Sequence, residues 1–298
     1  MSLIAVVLGS AAGGGFPQWN CRCPVCRLAW AHDPRVKPRT QASLAISADA
    51  TRWLIVNASP DLRAQIQATP ALHPHGELRA SPIAAVVLTG GEIDQTAGLL
   101  TLRERQPFRL FATAATHAFV ADNPMFSALA PELVTRQAIV PGERFMPVPG
   151  LEAELFSVPG KIPLYLEGSQ AEGEASVNVG IELHAGTSRL AYVPGAAGVP
   201  PAVKDRLARA DVVLFDGTLF RDDEMIRTGT GDKTGRRMGH MPIDGADGTL
   251  AALAGLSGRR LLIHINNTNP ILIEGSPERT RVTAAGWEVA EDGMEITL

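Results

Sequence analysis

Aromatic side chains are scarce in this chain: phenylalanine, tryptophan and tyrosine together make up 5% of its 298 residues. Large rings cannot dominate the core, so aliphatic strands must. Charge of one sign is lacking too. A net charge of -4 gives no electrostatic reason to expect nucleic acid or an anionic membrane as partner. No apolar run approaches the ~20 residues that a membrane span needs. The opening residues Met1 to Leu8 carry no basic region and run straight into Gly9, so they read as a strand and not a signal peptide. The expected location is the cytoplasm. Cysteine is nearly absent: all three residues fall between positions 21 and 26. An odd, clustered set in a reducing compartment is poor material for disulfides. No linker composition divides the chain, and 1–298 is expected to be a single domain.

What is present is a series of buried-strand patterns, each ending in polar residues. Ala85-Val86-Val87-Leu88-Thr89 is an apolar run that breaks at Gly90-Gly91. It then delivers Glu92, Asp94 and Gln95 within four residues. Polar groups at the end of a buried strand are where α/β folds place their chemistry. Asp211 to Phe215 repeats the pattern and ends in Asp216-Gly217-Thr218. Arg260 to Ile263 repeats it again, ending in His264 and a run of asparagines that includes Asn267. A lone histidine after an apolar strand is usually a satisfied core group, but buried amides need partners and tend to be organised. His240, between Gly239 and Met241, is a candidate inward-facing imidazole.

Between these lie hairpin and helix signals. Arg39 to Ser47 alternates like a half-buried strand, and Trp53 to Asn57 pairs with it. Asn57 to Asp61 caps a helix from Leu62 towards Thr69, and Ala115 to Val134 reads as mostly helical, interrupted at Asn123-Pro124. Val177 to Ala185 and Ser188 to Val193 form a hairpin, and Glu167 to Ala175 before them reads as a surface loop. Arg221 to Glu224 reads as a charged surface turn, and Trp287 to Thr297 as a closing hairpin through Asp292-Gly293. Strand and helix patterns in two halves predict an α/β protein, an αβ/βα four-layer sandwich with one site at the common edge of its sheets.

Cys21, Cys23 and Cys26 can converge on one ion, because so short a loop curls back on itself. Zinc prefers thiolates and takes four ligands in a structural site, so structural zinc is expected with a fourth ligand from elsewhere. The glycine-rich loop Gly9 to Gly15 lacks a phosphate-cradle motif and reads as a tight turn.

The stretch Thr89 to Gly98 resembles the Thr-His-x-His-x-Asp-His-x-x-Gly motif of the metallo-β-lactamase superfamily. Thr89, Asp94 and Gly98 match; Gly90, Glu92 and Gln95 stand where the three histidines would be. Within the superfamily the whole chain is most similar to the PqqB family of pyrroloquinoline quinone (PQQ) biosynthesis. Gly9 to Cys21, Asn57 to Asp61, Asp216 to Thr218, Met238 to His240 and His264 to Pro270 carry that likeness.

The resemblance implies a catalytic set of Asp94, Asp216, His240 and His264. Asp94, Asp216 and His264 would hold a second metal, with Glu92 and Gln95 beside them as cofactor-binding groups. The implied cofactors are structural zinc and Fe(II) with dioxygen. The implied substrate is a small molecule, the cross-linked Glu-Tyr precursor of PQQ, whose tyrosine-derived ring is hydroxylated. A carrier role in transport of PQQ or its precursor and metal-dependent hydrolysis are the alternatives. Carboxylate and imidazole donors suit non-haem iron, whereas a two-metal hydrolase needs both cations ligated. Relatives commonly read Asp-His where this chain reads Asp94-Gln95. Superfamily members with the thiol cluster complete it with a histidine whose register falls on Asn267, so Asn267 or water is the implied fourth zinc ligand. Two adjacent carboxylates without a cation predict that one has a raised pKa. The resemblance leaves room for a homodimer and for contacts with other proteins of the pathway.

Overall fold

A computed structural model describes residues 2–163 and 178–298. The proposed surface loop at 167–175 and the first residue of the proposed strand at Val177 lie outside the described residues. The first half holds β1 (Ile4–Gly9), β2 (Ser43–Ser47), β3 (Trp53–Val56), β4 (Ile83–Val87), β5 (Phe108–Ala112) and β6 (Val134–Ala138). The second holds β7 (Arg144–Val148), β8 (Leu151–Ser157), β9 (Val179–Ala185), β10 (Ser188–Val193), β11 (Val212–Asp216), β12 (Arg259–Ile263), β13 (Glu288–Val289) and β14 (Glu295–Thr297). They form two seven-stranded sheets, ordered β14-β1-β2-β3-β4-β5-β6 and β13-β12-β11-β10-β9-β8-β7.

Alternation along the strands builds the four layers. Val7, Leu44, Leu54 and Val87 of one sheet meet Ile181, Tyr192, Leu214 and Ile263 of the other in a central core. The intervening residues Val6, Ala45, Ile55 and Val86 face outward, against Leu62 of α2 (Leu62–Ala68) and Val120 of α4 (Ala114–Ala121). On the far side Val213, Phe215 and Leu262 pack against Val25 of α1 (Pro24–Trp30), Val203 of α5 (Pro201–Leu207) and Val282 of α8 (Pro277–Ala284). The αβ/βα layering is therefore the consequence of strands that are apolar on both faces. No helix among the described residues is long and apolar enough to cross a membrane.

Several sequence expectations are corrected. The strand expected across Arg39 to Ser47 is confined to β2 and is buried on both faces, because helices cover the outer side of its sheet. The 115–134 stretch is interrupted at Asn123-Pro124 as expected, α4 ending at Ala121 and a short 3-10 helix running Pro124–Ala128, but helix does not reach Val134, which opens β6. β6 and β7 then follow, unheralded by any apolar run, as the outermost strands of their sheets. β13 and β14 do not form a hairpin: β13 lies beside β12, while β14 crosses over to pair antiparallel with β1. The Asp292 carboxylate holds that crossover by accepting from Ser10 Oγ, Thr40 N and Thr40 Oγ1.

Candidate metal centre and thiol cluster

The site lies where β4, β11 and β12 end. Asn57, just after β3, adopts φ +63°, a left-handed conformation that asparagine tolerates. Its side chain accepts from Thr89 N at 2.9 Å and donates to Thr89 Oγ1 at 2.9 Å. Gly98 N donates to Ala58 O at 2.8 Å, and a Cβ on Gly98 would meet the backbone of Ala58 at 2.8 Å. Those two features clamp the loop after β4, and with it α3 (Ile93–Thr96), against the loop after β3.

Asp94 leaves α3 towards His264, with Oδ2 2.9 Å from His264 Nε2. His264 follows β12 at φ +58°. Such a backbone costs on the order of 1 kcal/mol and is found where surrounding contacts enforce it. Here they do: Gly217 N donates to Ile263 O, Ile265 N to Ser10 O and Asn266 N to Thr218 O. Asp216, fully buried at the end of β11, accepts from Ala196 N at 2.9 Å, Thr218 N at 3.0 Å and Thr218 Oγ1 at 2.6 Å. Its Oδ2 lies 2.7 Å from His240 Nδ1. The two imidazoles stack with centroids 5.3 Å apart. Thr218 joins the halves, its Oγ1 lying 2.9 Å from His264 Nδ1 and 3.1 Å from His240 Nδ1.

All four predicted residues thus meet in one network. Donor atoms of Asp216, His240 and His264 lie within 4.8 Å of one another, and Asp94 joins through His264. Asp94, His240 and His264 line a cavity of about 350 Å³ together with Glu92, Gln95 and Lys161. The expected raised carboxyl is not found. Burial pushes Asp94 up, but the hydrogen bond and charge of His264 outweigh it and hold Asp94 below the usual range. Burial likewise opposes, and His240 outweighs, in lowering Asp216. Each carboxylate faces an imidazole and not the other carboxylate. His264 is conversely raised: burial pulls it down, and Asp94 more than compensates.

Glu92 and Gln95 line the cavity but form a reciprocal cap on α3, with Glu92 N donating to Gln95 Oε1 at 3.2 Å. A Cβ on Gly90 would meet that same Oε1 at 2.5 Å. The amide of Gln95 therefore fills the space that a side chain at position 90 would occupy.

The three thiols also converge, with their sulfurs within 4.8 Å of one another. Asn267 meets them: its Nδ2 lies 3.1 Å from Cys21 Sγ and 3.3 Å from Cys26 Sγ. An amide nitrogen donates hydrogen bonds to sulfur and does not ligate a cation; the oxygens of Asn267 could, either that of the side-chain amide or the backbone carbonyl, which accepts from Cys23 Sγ at 3.6 Å and Cys26 Sγ at 3.8 Å. Cys26 and burial push the Cys23 thiol up, whereas the hydrogen bond from Cys23 pulls Cys26 down.

Two further residues have roles that their sequence motifs do not signal. Thr218 was visible only as part of Asp216-Gly217-Thr218. Glu224 sits in the stretch expected as a charged surface turn, yet it is buried, accepting from Phe220 N at 2.8 Å and Thr268 Oγ1 at 2.6 Å. The apolar residues Leu219, Phe220 and Met225 around it were the available signal.

The fold and this edge site together define a class. Residues 52–265 match the beta-lactamase superfamily domain. A diphosphatase of the PhnP family shares the fold at 18% identity, with a TM-score of 0.69 over 100% of this chain and 98% of that one. Nearer relatives narrow the assignment. Coenzyme PQQ synthesis protein B from a strain of Methylorubrum extorquens is 58% identical over 296 residues, 98% of this chain and 99% of that protein. The protein of the same name from Rhizobium meliloti is 56% identical, over 98% of this chain and 97% of that one. The crystal structure of Zn2+-bound PqqB from Methylobacterium extorquens superposes with a TM-score of 0.96 at 56% identity, covering 99% of this chain and 100% of that one. The chain belongs to the coenzyme PQQ synthesis protein B family.

Proposed function

We propose that this chain acts in PQQ biosynthesis and that the Asp216, His240 and His264 cluster is the centre of a metal-dependent oxygenase. The observation that carries the reading is the donor set itself: two imidazoles and a carboxylate within 4.8 Å, beside an open cavity. That set fits Fe(II), which takes mixed nitrogen and oxygen ligands and keeps positions free for dioxygen and substrate. When bound, Fe(II) supplies the redox chemistry that activates dioxygen. The substrate is the cross-linked Glu-Tyr precursor, and its tyrosine-derived ring is the part hydroxylated. Overall a phenol and one dioxygen give an ortho-quinone and one water, so atoms and electrons balance with no added reductant.

The chain's own residues supply the rest. Backbone N–H groups of Ala196 and Thr218 hold the Asp216 carboxylate in one orientation. Thr218 Oγ1 sets the spacing of the two imidazoles. Asp94 turns His264 and keeps a charge facing it. Lys161 lines the same cavity and gives a cationic wall for an acidic substrate. The relatives' name supports the pathway, and the zinc of the Methylobacterium extorquens structure supports metal binding in the family. The three thiols are the residues we assign to zinc, with the amide of Asn267 turned or a water as fourth ligand.

The test is anaerobic Fe(II) titration followed by oxygen-electrode traces on adding the precursor, with Asp216→Ala as blank. Precursor-dependent oxygen uptake in the natural chain alone supports the oxygenase. Tight precursor binding with no uptake would replace it with a carrier, and turnover of a phosphodiester with no uptake would replace it with a hydrolase.

A further inference from the structure

A second cavity of about 710 Å³ opens on the other side of Gln18 and Met225, which line both cavities. Arg22, Arg27 and Arg227 line it, with Asn20, Thr228 and Thr230 supplying uncharged polar groups. Among the described residues no carboxylate lines it, and Cys21, Cys23 and Asn267 line it as well. Asp223 reaches Arg227 at 3.4 Å, but Arg22 and Arg27 form no ion pair among the described residues. In a chain of net charge -4, three guanidinium groups around one hollow are a local reversal of sign.

The three arginine side chains are exposed, but the backbone that carries them is held in place. Arg22 and Arg27 interleave with Cys21, Cys23 and Cys26, so the thiol cluster sets their backbone. Arg227 lies on α6 (Glu224–Thr228). Glu224 ties that helix to Thr268, next in sequence to the Asn267 that contacts the thiols. Both arms of the cavity therefore meet at the cysteines.

We infer that this hollow is a carboxylate-binding subsite continuous with the metal-centre cavity, and that it receives the acidic end of an organic polycarboxylate. Planar guanidinium groups match carboxylates in paired hydrogen bonds. A ligand spanning the Gln18–Met225 divide would place its acid groups among the arginines and its ring beside His240 and His264. The inference rests on the proposed function for the identity of the polycarboxylate, but binding needs neither turnover nor iron.

Calorimetry on the zinc-loaded chain would use PQQ itself, a tricarboxylate, with citrate and pyrophosphate as comparison ligands. The expected result is PQQ binding that weakens with added salt and falls about tenfold or more in Arg22→Gln/Arg27→Gln, with zinc content unchanged. Arg227→Gln should weaken it less, since Asp223 already neutralises part of that charge. Unaltered PQQ affinity in the double variant, or no PQQ binding by the natural chain, would overturn the subsite. Pyrophosphate binding more tightly than PQQ would also overturn it, by making the hollow a phosphate site. A chain that shows arginine-dependent PQQ binding but no oxygen uptake would lose the oxygenase reading and keep this one.

Discussion

Replacing Glu224 by glutamine isolates one buried carboxyl whose ionisation opposes folding. Burial lifts this group from 4.5 to about 7, against the lowering hydrogen bonds from Thr268 and Phe220 N–H. The unfolded chain therefore releases the proton earlier than the folded one as pH rises. Stability from this group is highest below about pH 4.5, where both states are protonated, and falls until the folded group also ionises near pH 7. A shift of that size corresponds to about 3 kcal/mol. Glutamine keeps an acceptor for Phe220 N and can still bond Thr268, but it has no proton to release. The stability of Glu224→Gln relative to the natural chain should thus climb by about 3 kcal/mol between pH 4.5 and 7.5. Urea denaturation at pH 4.5, 6.0 and 7.5, on equally metal-loaded proteins, reads the difference directly, because every other titrating group cancels. A difference that stays flat with pH would show that Glu224 ionises normally, and the buried anchor for α6 would be lost with it.

Thr218→Val keeps the shape of the side chain but removes the hydroxyl shared by Asp216, His240 and His264. It should destabilise the metal-free chain by about 2 kcal/mol in urea, with Thr218→Ser restoring most of it; a valine variant within 0.5 kcal/mol of the natural chain, roughly the scatter of neutral substitutions, would remove Thr218 from the network. Gly98→Ala puts a methyl against the backbone of Ala58 and should cost about 3 kcal/mol and lower metal affinity, both absent if the loop after β3 can simply retreat. Cys23→Ala should lose its zinc by elemental analysis and unfold earlier, since structural metal binding is folding energy; a full zinc complement in that variant contradicts the thiol site. Gln95→His should bind Fe(II) more tightly in anaerobic titration, imidazole being a stronger donor than an amide; equal affinity would mean that position 95 does not face the ion.

The fold was legible wherever a strand was apolar on both faces. β4, β11 and β12 each announce themselves as buried runs, and the polar residues that follow announce the edge of the sheet. β6 failed that test because four of its five residues are exposed, leaving no pattern to read. The closing strands failed for a different reason. Asp292-Gly293 has the chemistry of a hairpin turn, but its carboxylate is bound by Ser10 and Thr40, from the first loops of the chain. Contacts so distant in sequence leave no local trace, and they decide which sheet β14 joins.

The site was legible as an inventory and not as a pairing. Asp94, Asp216, His240 and His264 could each be picked from a strand end or a glycine-flanked loop. Convergence of Asp94 and Asp216 in one cavity implied carboxylate beside carboxylate, hence repulsion and a raised pKa. The folded chain instead interleaves them, His264 against Asp94 and His240 against Asp216, with Thr218 between the rings. Alternation of sign lowers both carboxyls and raises His264, so the cluster is held together before any cation is present. The missing motif histidines fit the same arrangement. Gly90 leaves its space to the amide of Gln95, and Gln95 with Glu92 caps α3 and fixes where Asp94 stands. At the positions where the superfamily motif would carry histidines, Glu92 and Gln95 in this chain are supports that aim Asp94 at His264.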